Sequence, residues 1–195
     1  MIIWVNGPFG VGKTQTANEL NRRIENSFLF DPENLGYFLQ KNFPKNNDIN
    51  DFQDYEFWRK GNFELLLYLH QHYKGTIIVP MTLYNEKYFN EIVGNLRENL
   101  VEVHHFSLLA TQETIKKRLK KRLDFDQTWA LSHLQEILNS LSQDKFETII
   151  YTDNLTIDQV VEQIGEKCHL KLKPRIRNPL KKLIRRIHIQ IKNIR

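Results

Sequence analysis

The feature that most constrains this chain lies at its start. An apolar run, Ile2 to Val5, leads at once into Gly7-Pro8-Phe9-Gly10-Val11-Gly12-Lys13-Thr14. The octet satisfies G-x-x-x-x-G-K-[ST] at every required position, and the apolar run reads as a buried strand feeding it. A loop that wraps a phosphate chain must turn several backbone N–H groups inward, and glycine tolerates the dihedrals and close approach this needs. The helix expected to follow adds unpaired N–H groups and a positive dipole end aimed at the same anion. Lys13 supplies a mobile charge for the outer phosphates, and the Thr14 hydroxyl is a ligand for Mg²⁺. Residues Gly7, Pro8, Phe9, Gly10, Val11, Gly12, Lys13 and Thr14 are therefore expected to bind a nucleoside triphosphate, ATP in the first place.

Beyond the loop, strand and helix patterns alternate. Ala17, Leu20 and Ile24 repeat at helical spacing through Lys13–Glu25, and Ser27–Phe30 reads as a second strand. A long helix is expected over Asp51–Tyr73, a β-branched central strand over Thr76–Val79, and an amphipathic helix over Glu86–Asn99. A strand over Val101–Leu109, helices after Thr111 and over Trp129–Leu141, a strand over Thr148–Tyr151 and a helix over Ile157–Cys168 complete the series. The pattern predicts an α/β fold: a five-stranded parallel sheet with right-handed crossovers, flanked by helices. A chain of 195 residues suits one such domain, expected over 1–170 with a lid at about 118–128, followed by a tail over 171–195.

Asp31 directly follows the second strand, where ligands of open parallel sheets bind. It is the candidate to take a proton from an acceptor hydroxyl and to help hold Mg²⁺, although Asp31-Pro32-Glu33 is also a good helix start. Asp54, Trp58 and Arg59 are candidates for an acceptor pocket, Trp58 stacking on a ring and Arg59 forking onto a phosphate; Thr82 is a further hydrogen-bonding candidate. The central strand ends in Pro80-Met81-Thr82, where many loop-containing proteins of this kind carry a metal-organising carboxylate. Arg118 and Arg122, four apart on one basic helix face, are candidates to stabilise a phosphoryl group in transfer from the lid. Asp153, in the turn after the last strand, is expected beside the nucleotide base, whereas His104 and His105 read as structural.

Charge is divided sharply along the chain. Ten of the 28 lysines and arginines fall in Lys171–Arg195, which has no acidic residue, leaving 18 basic against 23 acidic ones before it. Leu180, Leu183, Ile184, Ile187, Ile191 and Ile194 form one helical stripe among those charges, the composition of a helix lying on an anionic membrane surface. Docking on the domain itself and attraction to nucleic acid are the rival readings, the latter weakened by the lack of aromatic residues in the stripe. A single cysteine, Cys168, fits a reducing compartment. With neither a signal peptide nor a spanning segment expected, the location indicated is cytoplasmic.

Taken together, several stretches resemble the bacterial tunicamycin-resistance ATP-binding proteins, nearly end to end. They are Ile3 to Thr16, Asp31-Pro32-Glu33, Asp51-Phe52-Gln53 with Trp58-Arg59, and Ile78-Val79-Pro80-Met81-Thr82. Further along come Tyr88 to Ile92, His104-His105-Phe106 and Thr152-Asp153-Asn154-Leu155. The resemblance implies an ATP-binding protein that protects cells from a nucleoside antibiotic and associates peripherally with the membrane through a C-terminal amphipathic helix. More distantly the chain is similar to small-molecule and polynucleotide kinases, in which the position of Asp31 acts on the acceptor hydroxyl and those of Arg118 and Arg122 lie in the lid. The expectation is an ATP- and Mg²⁺-dependent phosphotransferase acting on tunicamycin or a similar compound. A drug-sequestering protein without chemistry is the alternative, and a polynucleotide kinase a weaker one.

Overall fold

Trp4 and Ile3 are neighbours in sequence, yet they belong to different hydrophobic cores, because successive side chains of a strand point to opposite faces. Their strand, β1 (Ile2–Asn6), is buried throughout and lies at the centre of the sheet. A computed structural model describes residues 1–44, 51–120, 131–146 and 148–192. With β2 (Ser27–Leu29), β3 (Thr76–Pro80), β4 (Val103–Leu109) and β5 (Thr148–Tyr151), the strands run parallel in the order β2-β3-β1-β4-β5. Ile3 aligns with Ile78 on one side and His104 on the other.

The helices are α1 (Lys13–Arg23), α2 (Glu33–Asn42), α3 (Glu56–His72), α4 (Glu86–Phe89), α5 (Asn95–Glu98), α6 (Gln112–Leu119), α7 (Leu134–Leu141), α8 (Ile157–Lys167) and α9 (Pro179–Lys192). One face of the sheet presents Ile2, Trp4, Ile77 and Val79 to Leu66 of α3, Leu96 of α5 and Ile137 of α7. The other presents Ile3, Val5, Ile78 and Leu108 to Leu20 of α1, Ile115 of α6 and Val161 of α8. A strand buried on both faces must be apolar at every position, and the β-branched run Thr76–Val79 is its sequence signature.

Two of the expected helices are interrupted. The segment read as a helix from Asp51 begins instead as a 3₁₀ turn, Phe52–Asp54, whose leading Asp51 accepts the Gln53 N–H at 2.9 Å. Tyr55 is extended, and only then does α3 start. Between α4 and α5 lies a π-helical turn, Asn90–Gly94, which rotates the following residues relative to a regular helix. Thr111 and Thr156 cap α6 and α8, and Thr156 with Gln159 completes a reciprocal capping box. Most of the segment expected as a lid, including Arg122, lies outside the described residues.

The tail returns to the body without docking its aliphatic stripe on it. Leu172 bridges to Ile24, and the Lys173 N–H donates to the Arg23 carbonyl, bringing the chain back along the end of α1. In α9 two basic side chains face the body, Lys182 pairing with Asp158 and Arg185 with Glu19, while Lys181, Arg186 and Lys192 are exposed. Gln15 Nε2 also donates to the Arg186 carbonyl at 3.1 Å. Ile189 is buried against the domain, while Leu180, Leu183, Ile184, Ile187 and Ile191 are all more than 40 % exposed. The acidic body thus attracts the basic side of the helix and turns the aliphatic stripe outward.

Candidate nucleotide and acceptor site

The loop after β1 is shaped by positive φ angles at Gly7 (142°), Gly10 (80°) and Gly12 (110°). At Gly7 a Cβ would stand 2.4 Å from the Leu108 carbonyl oxygen, so the loop passes β4 too closely for any side chain. Gly12 holds the left-handed conformation that starts α1, and no acidic side chain occupies the first turn of that helix. Its initial N–H groups are the unpaired donors of a helix start, and its dipole end is unneutralised by the helix's own residues. Lys13 bends back over the loop, its Nζ donating to the Pro8 carbonyl at 3.1 Å and lying 5.1 Å from the Phe9 ring centroid. The arrangement is an anion cradle with its cation attached.

A buried polar network that the sequence reading overlooked holds this loop in place. Asn6, with no exposed surface, accepts the Gly7 N–H at 2.7 Å and the Leu83 N–H at 3.0 Å on one oxygen. Its amide donates to the Leu83 carbonyl at 2.7 Å and lies 3.1 Å from His105 Nε2. His105 Nδ1 faces the Phe146 carbonyl at 3.0 Å, so Nδ1 carries the proton and Nε2 accepts from Asn6. His105 is structural, as expected, but it also supports the residue that supports the loop. A polar residue ending an otherwise apolar strand was the available signal.

Arg118 is directed at the same loop. It donates to the Val11 carbonyl at 3.3 Å, to Thr152 Oγ1 at 3.0 Å and to the Thr152 carbonyl at 2.7 Å. It therefore ties the phosphate loop to the turn after β5, inside α6 rather than out on a lid. Asp153, in that turn, accepts the Thr111 N–H at 3.0 Å and the Thr111 hydroxyl at 2.7 Å. Those hydrogen bonds, the hydroxyl one foremost, hold its carboxyl below the usual range and fasten the turn after β5 to the start of α6.

On the other side, Asp31 follows β2, with one carboxylate oxygen accepting the Glu33 N–H at 3.1 Å. The helix-start reading of Asp31-Pro32-Glu33 is thus realised at the strand-end position. β2 is separated from β1 by β3, a lateral offset of about 10 Å at ordinary strand spacing. Thr82, beyond β3, donates its hydroxyl to the Gly7 carbonyl at 2.8 Å, a loop-positioning contact in place of the substrate contact expected.

Trp58 requires a correction: it is completely buried, packs 5.3 Å from the Phe52 ring and donates its indole N–H to the Pro32 carbonyl at 3.0 Å. Its ring is core and offers no face to a ligand. Arg59, beside it, is 5 % exposed and already engaged. Nε pairs with Glu91, Nη1 donates to the Gln53 carbonyl at 2.6 Å, and the guanidinium lies 4.3 Å from the Tyr88 ring centroid. Tyr88 donates to Asp54 at 2.6 Å; burial first, and then this hydrogen bond, pushes its phenol up to about 12. Tyr88 and Glu91 were legible only as helix-face residues, since Arg59 and Asp54 lie about thirty positions before them.

The loop suits ATP and its usual metal. The Thr14 hydroxyl has no hydrogen bond among the described residues, and no three His, Cys, Asp or Glu side chains among them form a metal cluster. A magnesium ion here would rest on Thr14 and on phosphate oxygens, in keeping with its preference for few protein ligands. Asp31, the other metal candidate, is two strands from the loop.

A glycine-rich loop between β1 and α1, in a parallel sheet ordered β2-β3-β1-β4-β5, defines the fold of the P-loop kinase class. The solved tunicamycin resistance protein of Deinococcus radiodurans is 32 % identical, with 89 % of this chain and 99 % of that one aligned at a TM-score of 0.75. The chain belongs to the tunicamycin resistance protein family. A sugar kinase from Janibacter sp. shares the fold at 21 % identity, 87 % and 94 % coverage and a TM-score of 0.62. A shikimate kinase from Bacteroides thetaiotaomicron does so at 15 %, 87 % and 99 %, with a TM-score of 0.54. No family model and no curated protein sequence matches the chain.

Proposed function

We propose that the protein is an ATP-dependent phosphotransferase whose acceptor is tunicamycin or a related nucleoside compound, inactivated by the added phosphate. The observation that carries this reading is the phosphate cradle at the start of α1 on the same sheet edge as Asp31. In the reaction, the loop N–H groups and Lys13 hold the phosphate chain, and Lys13 exchanges its Pro8 carbonyl for phosphate oxygens. Asp31 accepts the proton of the acceptor hydroxyl as the hydroxyl oxygen attacks the terminal phosphorus, whose bond to the bridging oxygen breaks to release ADP. Arg118 keeps the loop and the base-side turn in register, and Arg122 remains a candidate for phosphoryl stabilisation. Magnesium, held through Thr14, would supply charge neutralisation at the phosphates.

The test is mass spectrometry of tunicamycin incubated with the protein, ATP and Mg²⁺. Wild type is expected to add one phosphate, and Lys13→Ala and Asp31→Asn none. A specific feature favours a second reading: β3 ends in Pro80-Met81-Thr82, without a carboxylate for the metal. Under that reading the protein sequesters the drug in an ATP-dependent manner. Unmodified drug co-eluting with ATP-loaded protein, and resistance surviving Asp31→Asn, would decide for it.

The outward stripe of α9 supports peripheral attachment to a cytoplasmic membrane face, although no helix among the described residues is long and apolar enough to cross one. Burying five half-exposed aliphatic side chains would contribute of order 5 kcal/mol. Sedimentation with anionic vesicles, lost on deleting residues 179–195, is the expected result.

A further inference from the structure

The pairing of Arg59 bears on what the acceptor can be. This inference rests on the phosphotransferase reading for the location of the acceptor side, between the ends of β2 and β3. The turn after β2 and the start of α3 are joined there by the Trp58 indole on Pro32, and Arg59 follows Trp58 in α3. A free guanidinium at that point would select a carboxylate or phosphate. Here Arg59 is buried, and its charge is balanced by Glu91 in direct contact. The Gln53 carbonyl takes a second donor and Tyr88 covers one face of the plane. Asp54 stands behind Tyr88, and Asp51 lies in the same turn with its carboxyl raised by burial. Lys87 is the one further cation within 4 Å of Glu91 among the described residues, at 3.7 Å and mostly exposed.

We infer that this side of the site takes an uncharged, hydroxyl-bearing acceptor and rejects anionic ones, with Glu91 as the residue that sets the preference. A buried positive charge already matched by a carboxylate gains little from a second anion, and that anion would meet Glu91, Asp54 and Asp51 as like charges. A hydroxyl group avoids the conflict because it both donates and accepts. Arg59 Nη2 has no acceptor among the described residues and can donate to it, while the Glu91 carboxylate can accept its proton in a hydrogen bond. Removing the charge of Glu91 while keeping its shape would release Arg59 to bind an anion.

The experiment titrates uridine and uridine monophosphate into the full chain saturated with Mg²⁺ and a non-hydrolysable ATP analogue, so that the phosphate loop is already filled. Wild type is expected to bind uridine more tightly than the monophosphate. Glu91→Gln should tighten monophosphate binding about tenfold, as expected when a compensated buried charge is uncovered. Adding Arg59→Met to it should abolish the gain, and Glu91→Asp, which retains the charge, should keep the wild-type ranking. Equal or tighter monophosphate binding by wild type overturns the proposal. Monophosphate binding to a folded Glu91→Gln no tighter than to wild type overturns it as well. The measurement involves no phosphoryl transfer, so absence of a drug adduct would remove the kinase reading and leave the charge preference standing on its own result.

Discussion

Asn6 shows how much one side chain can carry when it is fully buried. Its amide serves two backbone donors and one backbone acceptor, including the first N–H of the phosphate loop. Asn6→Ala would leave those groups without partners in a dry environment, at a cost of about 2–4 kcal/mol. Chemical denaturation is expected to register that loss, and nucleotide titration a weakened ATP affinity, because Gly7 is no longer held. Tyr88 offers a second measurement at this scale. Its folded-state phenol titrates near 12 against an ordinary 10, so the native state keeps a proton that the unfolded chain releases first. The associated stability is fully present below pH about 10 and lost as pH rises toward 12. Ultraviolet titration should find Tyr88 among the tyrosines that ionise late, and Asp54→Asn should bring it earlier by removing the accepting carboxylate.

The element with the clearest division of labour is α9. Its attachment includes Lys182–Asp158, Arg185–Glu19, hydrogen bonds from Gln15 to the Arg186 carbonyl and from Arg185 to the Asn18 carbonyl, and one buried aliphatic side chain, Ile189. Partly exposed ion pairs are weakened by salt, and one isoleucine buries little area. The double variant Glu19→Gln, Asp158→Asn is therefore expected to release the helix while the sheet remains folded. Hydrogen exchange should then accelerate over Leu180–Lys192 and stay slow over β1 and β4. Unchanged protection in α9 would mean that backbone contacts such as Gln15 to Arg186, rather than charge, hold it.

For the whole molecule, the phosphate loop links both cores: it leaves β1 between them, passes Leu108 and starts α1. A ligand bound there stabilises the entire cooperative unit. ATP·Mg²⁺ at a hundred times its Kd should add about 2.7 kcal/mol, raising Tm by roughly 5–10 °C for a chain of this size. Lys13→Ala, which removes the charge at the cradle, should lose most of that shift in a thermal melt.

The sequence by itself determined the parts of this protein whose causes are local or periodic. The loop glycines lie beside the strand and helix they connect, the apolar run of β3 announces burial on both faces, and Thr156 stands three residues from Gln159. Only the tertiary structure decided what each polar side chain would meet. Trp58 and Arg59 are adjacent in sequence, yet one is core and the other is paired with Glu91, thirty-two positions on. The stripe of α9 and its facing away from the domain were legible, but the ion pairs that hold its other side to the body were not, because they depend on Glu19 and Asp158 of other helices. Periodicity identifies which residues share a face, whereas long-range charge and packing decide what that face meets.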